Sequence, residues 1–257
     1  MTGLHATVIL AISADGKIAD AVRSPARFGS AKDKAHLEQQ VAASDAVLFG
    51  NGTLQAYGTA MRVISPELVK QRELQGKPPQ PVQIVCSRSS QFDPNLRFFQ
   101  QPVPRWLLTG QDSRHTAMPS PYPTKDEETA LPFPYRAKDE DTAEPSPYAM
   151  TNSKFDRIIY AKTAGGEIDW IDAFQQLANF DIKGLAILGG GKLVASVLAA
   201  GLVDELWLTV CPLILGGADA PTAVEGKGFL ADLAPKLELL AVKQVGQEVF
   251  LHYRVDR

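Results

Sequence analysis

Three consecutive glycines and a lysine, Gly189-Gly190-Gly191-Lys192-Leu193, stand between a short apolar run ending at Leu188 and a strongly apolar stretch reaching Gly201. The pattern reads as a buried strand, a tight turn and a helix whose N-terminus is left uncovered. The first N–H groups of such a helix have no partner within it, and its dipole places partial positive charge there. Glycines remove the side chains that would hold a phosphate away, so the turn suits a phosphate or pyrophosphate. The same letters also suit a turn that only lets strand and helix pack closely. It is not a Walker loop: Ala186 stands where the first glycine belongs, and Leu193 replaces the hydroxyl residue after the lysine. Two further stretches carry similar chemistry. Gly50-Asn51-Gly52-Thr53 puts a hydroxyl after a glycine turn, and Ser87-Arg88-Ser89-Ser90 sets hydroxyls beside a guanidinium, a pocket for a doubly charged phosphate. An N-cap at Thr53 and an exposed turn at Ser87 account for these letters equally well.

The elements that must position these groups follow from periodicity. Residues 6–13, 45–50, 81–87, 106–109, 157–161 and 203–215 read as strands, several of them continuous apolar runs covered on both faces. The first ends in Ala14-Asp15-Gly16-Lys17, where Gly16 can take a positive φ. Ser30 can cap a helix with Asp33 in its first turn and Leu37 and Val41 on one face. Residues 66–75 read as a short surface helix. Asp169 caps another, with Trp170, Phe174 and Leu177 in one apolar stripe. Residues 237–245 and 248–255 alternate around Gly246, as a closing hairpin does. The expectation is an α/β, three-layer αβα fold with a mixed sheet of about eight strands ending in an antiparallel hairpin. Strands ending at Ser13, Phe49, Cys86 and Leu188 would carry their glycine- and hydroxyl-rich loops to one sheet edge, where α/β sheets bind ligands.

Composition narrows the classes of function. The 257 residues are 45% apolar and 21% charged, with a net charge of −3. That balance gives no global attraction for nucleic acid or an anionic membrane, and no apolar run approaches the length of a membrane helix. The start, Met1-Thr-Gly-Leu-His5, shows no signal peptide pattern, so a cytoplasmic protein is expected. Cys86 and Cys211 lie in strand-like runs and read as buried free thiols, and four scattered histidines show no metal-ligand spacing. From about 112 to 150 prolines recur among Lys, Glu and Asp. This Pro-rich segment reads as a mobile insertion in a single domain.

Taken in order, Ser13-Ala-Asp15-Gly16-Lys17-Ile18-Ala19, Asp45-Ala-Val-Leu-Phe-Gly50-Asn-Gly52-Thr53, Gly189-Gly-Gly-Lys-Leu193, Gly201-Leu-Val-Asp204-Glu205-Leu206 and Pro212-Leu-Ile-Leu-Gly216 resemble the riboflavin-biosynthesis pyrimidine reductase family, the RibD C-terminal domain. That family shares the dihydrofolate reductase fold. The resemblance implies an NADPH-dependent reductase of a phosphorylated ribosylaminopyrimidine, such as 5-amino-6-(5-phosphoribosylamino)uracil, and a homodimer. It implies that Gly50, Thr53 and Gly189 to Leu193 (Gly189, Gly190, Gly191, Lys192, Leu193) hold the pyrophosphate, and that Ser87 and Arg88 meet the adenosine 2′-phosphate. Ala11, Gly16, Lys17 and Ile18 would border the nicotinamide. Asp15 would be an acid or a polar orienter, and Lys17, Arg23 and Arg62 would meet a substrate phosphate. Two substrate-side acids of the family are replaced here, one by the Tyr57-Gly58-Thr59 stretch and one by Leu188. A paralogue acting on another heterocycle or carbonyl, or a non-catalytic NADPH-binding protein, would carry the same cofactor residues.

Overall fold

In the first strand, β1 (His5–Ser13), alternate side chains enter different apolar clusters: Val8 and Leu10 one, Ile9 the other. Both faces are therefore covered, which the unbroken apolar run requires. The computed structural model describes residues 3–111 and 154–256, so the Pro-rich stretch at 112–150 lies outside the described residues. After β1 come α1 (Ala31–Ala43), β2 (Ala46–Gly50), α2 (Asn51–Tyr57), α3 (Pro66–Leu74), β3 (Val82–Cys86) and β4 (Arg105–Gly110). Beyond the gap follow β5 (Arg157–Ala161), a small hairpin of β6 (Thr163–Ala164) and β7 (Glu167–Ile168), α4 (Trp170–Ala178), β8 (Gly184–Ile187), α5 (Gly191–Ala199), β9 (Glu205–Cys211), β10 (Leu237–Val245) and β11 (Glu248–Val255).

Nine strands form one sheet in the order β10-β11-β9-β1-β8-β2-β3-β4-β5. Every pair from β9 across to β5 is parallel, and β11 and β10 add the antiparallel hairpin. The mixed three-layer architecture is the expected one, with nine strands in place of about eight. Helices α4 and α5 cover one face, burying Trp170, Phe174, Leu177, Val194 and Val197. Helices α1 to α3 and the aromatic segment around Phe92, Phe98 and Phe155 cover the other. Ser30 caps α1 through bonds from the Lys32 and Asp33 amides, and Asp169 caps α4 in the same way. The strand expected over 203–215 stops at Cys211, because Pro212 has no N–H to continue the ladder. Residues 213–216 instead bond to the loop after β1. At the outer edge of the sheet, β10 exposes Leu239 and Val242, 53% and 58% accessible. Among the described residues, no helix is long and apolar enough to cross a membrane.

The helix at 66–75 is more than a surface element. Its Arg72 is 1% exposed and donates to the carbonyls of Ala42 at 2.7 Å, Ser44 at 2.6 Å and Pro78 at 2.8 Å. A cation at the end of α1 satisfies carbonyls that the helix cannot, and it matches the negative end of the dipole. Glu38, 8% exposed, anchors the same region by accepting from the Ile64 and Ser65 amides, both at 2.6 Å. Arg72→Ala orphans three carbonyls and opens a void, so urea unfolding should show a loss of about 2–4 kcal/mol. A loss within about 0.5 kcal/mol of zero, the usual range for a surface substitution, would contradict this role.

Candidate active site

The parallel register places the ends of β1, β8, β2 and β3 side by side on one sheet edge, and each of the expected loops leaves from there. The turn after β8 and the turn after β2 touch. The amide of Gly50 donates to the carbonyl of Gly189 at 3.0 Å, and a Cβ built on Gly190 would lie 3.6 Å from Thr53 Oγ1. Gly50 is opposite Cys86 in the ladder, which brings Ser87 next to Asn51. Thr53, Gly190 and Ser87 thus lie along adjacent strand tips. Helix α5 begins at Gly190 and α2 at Gly50, and neither receives a side-chain cap. Two neighbouring helix starts therefore present uncapped N–H groups, a donor set that fits the oxygens of a pyrophosphate. Gly191 has a separate reason to be glycine. A Cβ there would collide with the carbonyl of Thr222 and approach Glu225 Cγ to 2.8 Å. The start of α5 packs on the 221–225 segment, and Glu225 returns an amide bond to the Gly191 carbonyl at 3.1 Å. Lys192 and Leu193 fill the first turn of α5, Lys192 outward and Leu193 buried.

The loop after β1 is held from two sides. Lys17 pairs with Thr222, and Ile18 donates to the Pro221 carbonyl at 2.9 Å. Gly16 sits at φ 79°, a conformation glycine adopts without steric cost. Asp15 accepts from the Ser13 hydroxyl at 2.6 Å and from the amides of Leu215 at 3.1 Å and Gly216 at 2.7 Å. The Ser13 hydroxyl, followed by the two amides, lowers its pKa to about 2. A carboxylate so firmly ionised is a poor proton donor and a good loop clamp, so the geometry favours the orienting alternative over the acid. Of the cations named from sequence, Arg23 faces Glu225 at 3.9 Å. Arg62 is not brought to this rim: its neighbours Met61 and Val63 bond to Gln83 and Gln80, at the N-terminal end of β3. Lys17 stays in the loop after β1, opposite Thr222.

Beyond β2, Ser87 is 4% exposed, and its Oγ accepts from the Ser90 amide at 3.2 Å. Ser90 Oγ donates to Thr109 Oγ1 at 3.2 Å. Arg88 leaves this knot outward and pairs with Glu167. At the two positions where the resemblance implies substrate-side acids, Leu188 packs into the apolar cluster beneath α1, and the Tyr57 hydroxyl donates to the Ala26 carbonyl at 3.0 Å.

One group near the site escaped sequence reasoning. Ala11 pairs with Thr209 in the ladder, and the Thr209 hydroxyl bonds to Asp33. Burial raises the Asp33 pKa, the Thr209 bond opposes that rise, and the charge of Glu248 adds to it. Glu248 in turn accepts from Ser30 N at 2.7 Å and Ser30 Oγ at 2.5 Å. In sequence Asp33 looks like a helix-dipole residue, and nothing in 218 positions of separation announces Glu248. Cys211 lies against the same carboxylate, and burial first and then Glu248 push its thiol up to about 12. Both cysteines are free, and Cys86 is likewise raised to about 12 by burial.

Asp15 gives a pH prediction. Its native pKa, about 2, lies below the ordinary 3.8, so its contribution to stability is complete above 3.8 and is lost as pH falls through the native value. Asp15→Asn should therefore lower the melting temperature near neutral pH, and the gap to the parent should narrow only from about pH 4 towards about pH 2. A gap constant down to acid pH would rule out the ionised clamp.

Known proteins resemble this chain in sequence and in fold. A reductase of Archaeoglobus fulgidus, named 2,5-diamino-6-ribosylamino-4(3H)-pyrimidinone 5′-phosphate reductase, is 26% identical over 97% of either chain. The riboflavin biosynthesis protein RibD of Escherichia coli is 27% identical over 95% of this chain, which spans 58% of that longer protein. Among solved structures, a pyrimidine reductase-like protein of Corynebacterium diphtheriae superimposes with a TM-score of 0.69 at 21% identity, covering 99% of this chain and 92% of its own. The family model described as the RibD C-terminal domain matches residues 5–251. The chain belongs to the RibD C-terminal domain family.

Proposed function

We propose that this chain is an NADPH-dependent reductase acting on a phosphorylated ribosylaminopyrimidine. The observation that carries the cofactor reading is the pair of uncapped helix starts at Gly50 and Gly190, joined by the Gly50–Gly189 bond. The substrate reading comes from the relatives, whose names describe reduction of such a pyrimidine 5′-phosphate. Bound there, the nicotinamide would supply a hydride to the sugar carbon that bears the exocyclic amino nitrogen, opening the ribosylamine to a ribitylamine. The chain's own part is to orient the reactants and move a proton. Amides of the Gly190 turn and the Thr53 hydroxyl would grip the pyrophosphate, while Ser87 and Arg88 would receive the 2′-phosphate. Asp15 would fix the loop of Gly16, Lys17 and Ile18 beside Ala11 at the nicotinamide end, and Lys17 would meet a substrate phosphate. Burial raises the Asp33 pKa, and that direction makes Asp33 the candidate proton carrier of this reading.

A second reading keeps the cofactor without turnover, and the apolar Leu188 and the engaged Tyr57 hydroxyl on the substrate side favour it. One assay separates them: NADPH oxidation with the 5′-phosphorylated ribosylaminopyrimidine. The reductase reading expects turnover that falls at least about tenfold in Asp33→Asn. Tight NADPH binding without turnover on this substrate supports the second reading. Equal affinity for NADPH and NADH, unchanged in Arg88→Ala, would remove the 2′-phosphate assignment.

We further propose a cytoplasmic homodimer. Two free thiols fit the reducing compartment. Exposed Leu239, Val242 and Leu230, the last 70% accessible, supply apolar surface near the open edge of the sheet. Sedimentation should give about twice the chain mass of 27.8 kDa, and a monomer at micromolar concentration would refute it.

A further inference from the structure

We propose that Glu167 sets how strongly the nucleotide site prefers a 2′-phosphate, by competing with that phosphate for Arg88. The inference rests on the nucleotide reading above and deepens it. Arg88 Nη1 lies 3.1 Å from Glu167 Oε1, and the two side chains are 71% and 73% exposed. The partners belong to separate, rigidly seated pieces. Arg88 leaves a loop pinned by the Ser87–Ser90 and Ser90–Thr109 bonds. Glu167 opens β7, in a hairpin held over the tip of β4. Thr163 Cγ2 occupies the space that a Cβ on Gly110 would need, only 2.5 Å away. Lys162, at the foot of that hairpin, donates its amide to Asp172 at 2.9 Å and accepts from the Asp169 amide at 2.8 Å. The guanidinium is thus met by a carboxylate delivered from another part of the chain, on the rim where a 2′-phosphate would sit.

An ion pair this open to water is weak, so a doubly charged phosphate can displace the carboxylate. Displacement does not remove Glu167, whose fixed base keeps its negative charge beside the incoming phosphate. NADPH therefore meets two penalties, loss of the pair and repulsion. NADH lacks the phosphate and leaves the pair intact. Glu167 lowers affinity for the phosphorylated nucleotide alone, so it determines the ratio between the two.

The test is fluorescence titration of the full chain with NADPH and with NADH, in the parent, Glu167→Gln, Arg88→Ala and the double variant. Glu167→Gln should tighten NADPH by about twofold to fivefold, the range expected for an exposed charge pair, and leave NADH unchanged. The gain should shrink at high salt and be absent in the Arg88→Ala background. Equal tightening of both nucleotides, no tightening, or a gain that persists without Arg88 overturns the proposal. The two levels fail differently. A preference abolished by Arg88→Ala but untouched by Glu167→Gln removes Glu167 alone. Equal binding of both nucleotides by the parent, unaffected by Arg88→Ala, removes the 2′-phosphate assignment as well. Since Glu167 is exposed, unchanged urea unfolding of Glu167→Gln confirms that the titrations compare folded proteins.

Discussion

The amide of Gly50 and the carbonyl of Gly189 meet at 3.0 Å, and the geometry of the site depends on that contact. It ties the turn after β2 to the turn after β8, so two helices start within reach of one ligand. The contact is sterically demanding. A side chain on Gly189 would press on Leu10 at 3.3 Å, and one on Gly191 would strike the 221–225 segment. The glycines are thus required by protein packing as well as by any phosphate. The two explanations that compete for the triplet in sequence are both served by the same atoms.

Where local chemistry decides an element, the sequence was legible. Ser30 and Asp169 cap the helices they precede, and the terminal strands run over 237–245 and 248–255 as alternation predicts. Strand tips also declared themselves, because glycine and hydroxyl loops at four strand ends converge once the strands lie parallel. What stayed hidden is what the chain assembles over long separations. Residues 66–75 read as a short surface helix, and only the fold shows Arg72 closing the end of α1. Arg62, expected at a substrate phosphate, has neighbours that bond to the N-terminal end of β3. Asp33 changes meaning because Thr209 and Glu248 arrive from distant strands.

Charge is distributed around the rim with a consistent logic. Carboxylates that must stay ionised are wrapped in donors, as Asp15 is by a hydroxyl and two amides. The carboxyl with a raised pKa, Asp33, is the one burial and a like charge have made reluctant to ionise. The two carboxyls are thereby shifted in opposite directions.

Glu248 reaches back to Ser30, at the head of the first helix, across 218 positions. That bond cannot exist until β11 has slotted between β9 and β10. During synthesis the ribosome must release nearly the whole described chain before the entrance to α1 is completed. Contacts of such separation are slow to close, since the intervening chain must first give up its freedom. The head of α1 is therefore complete only once the last strand is in place.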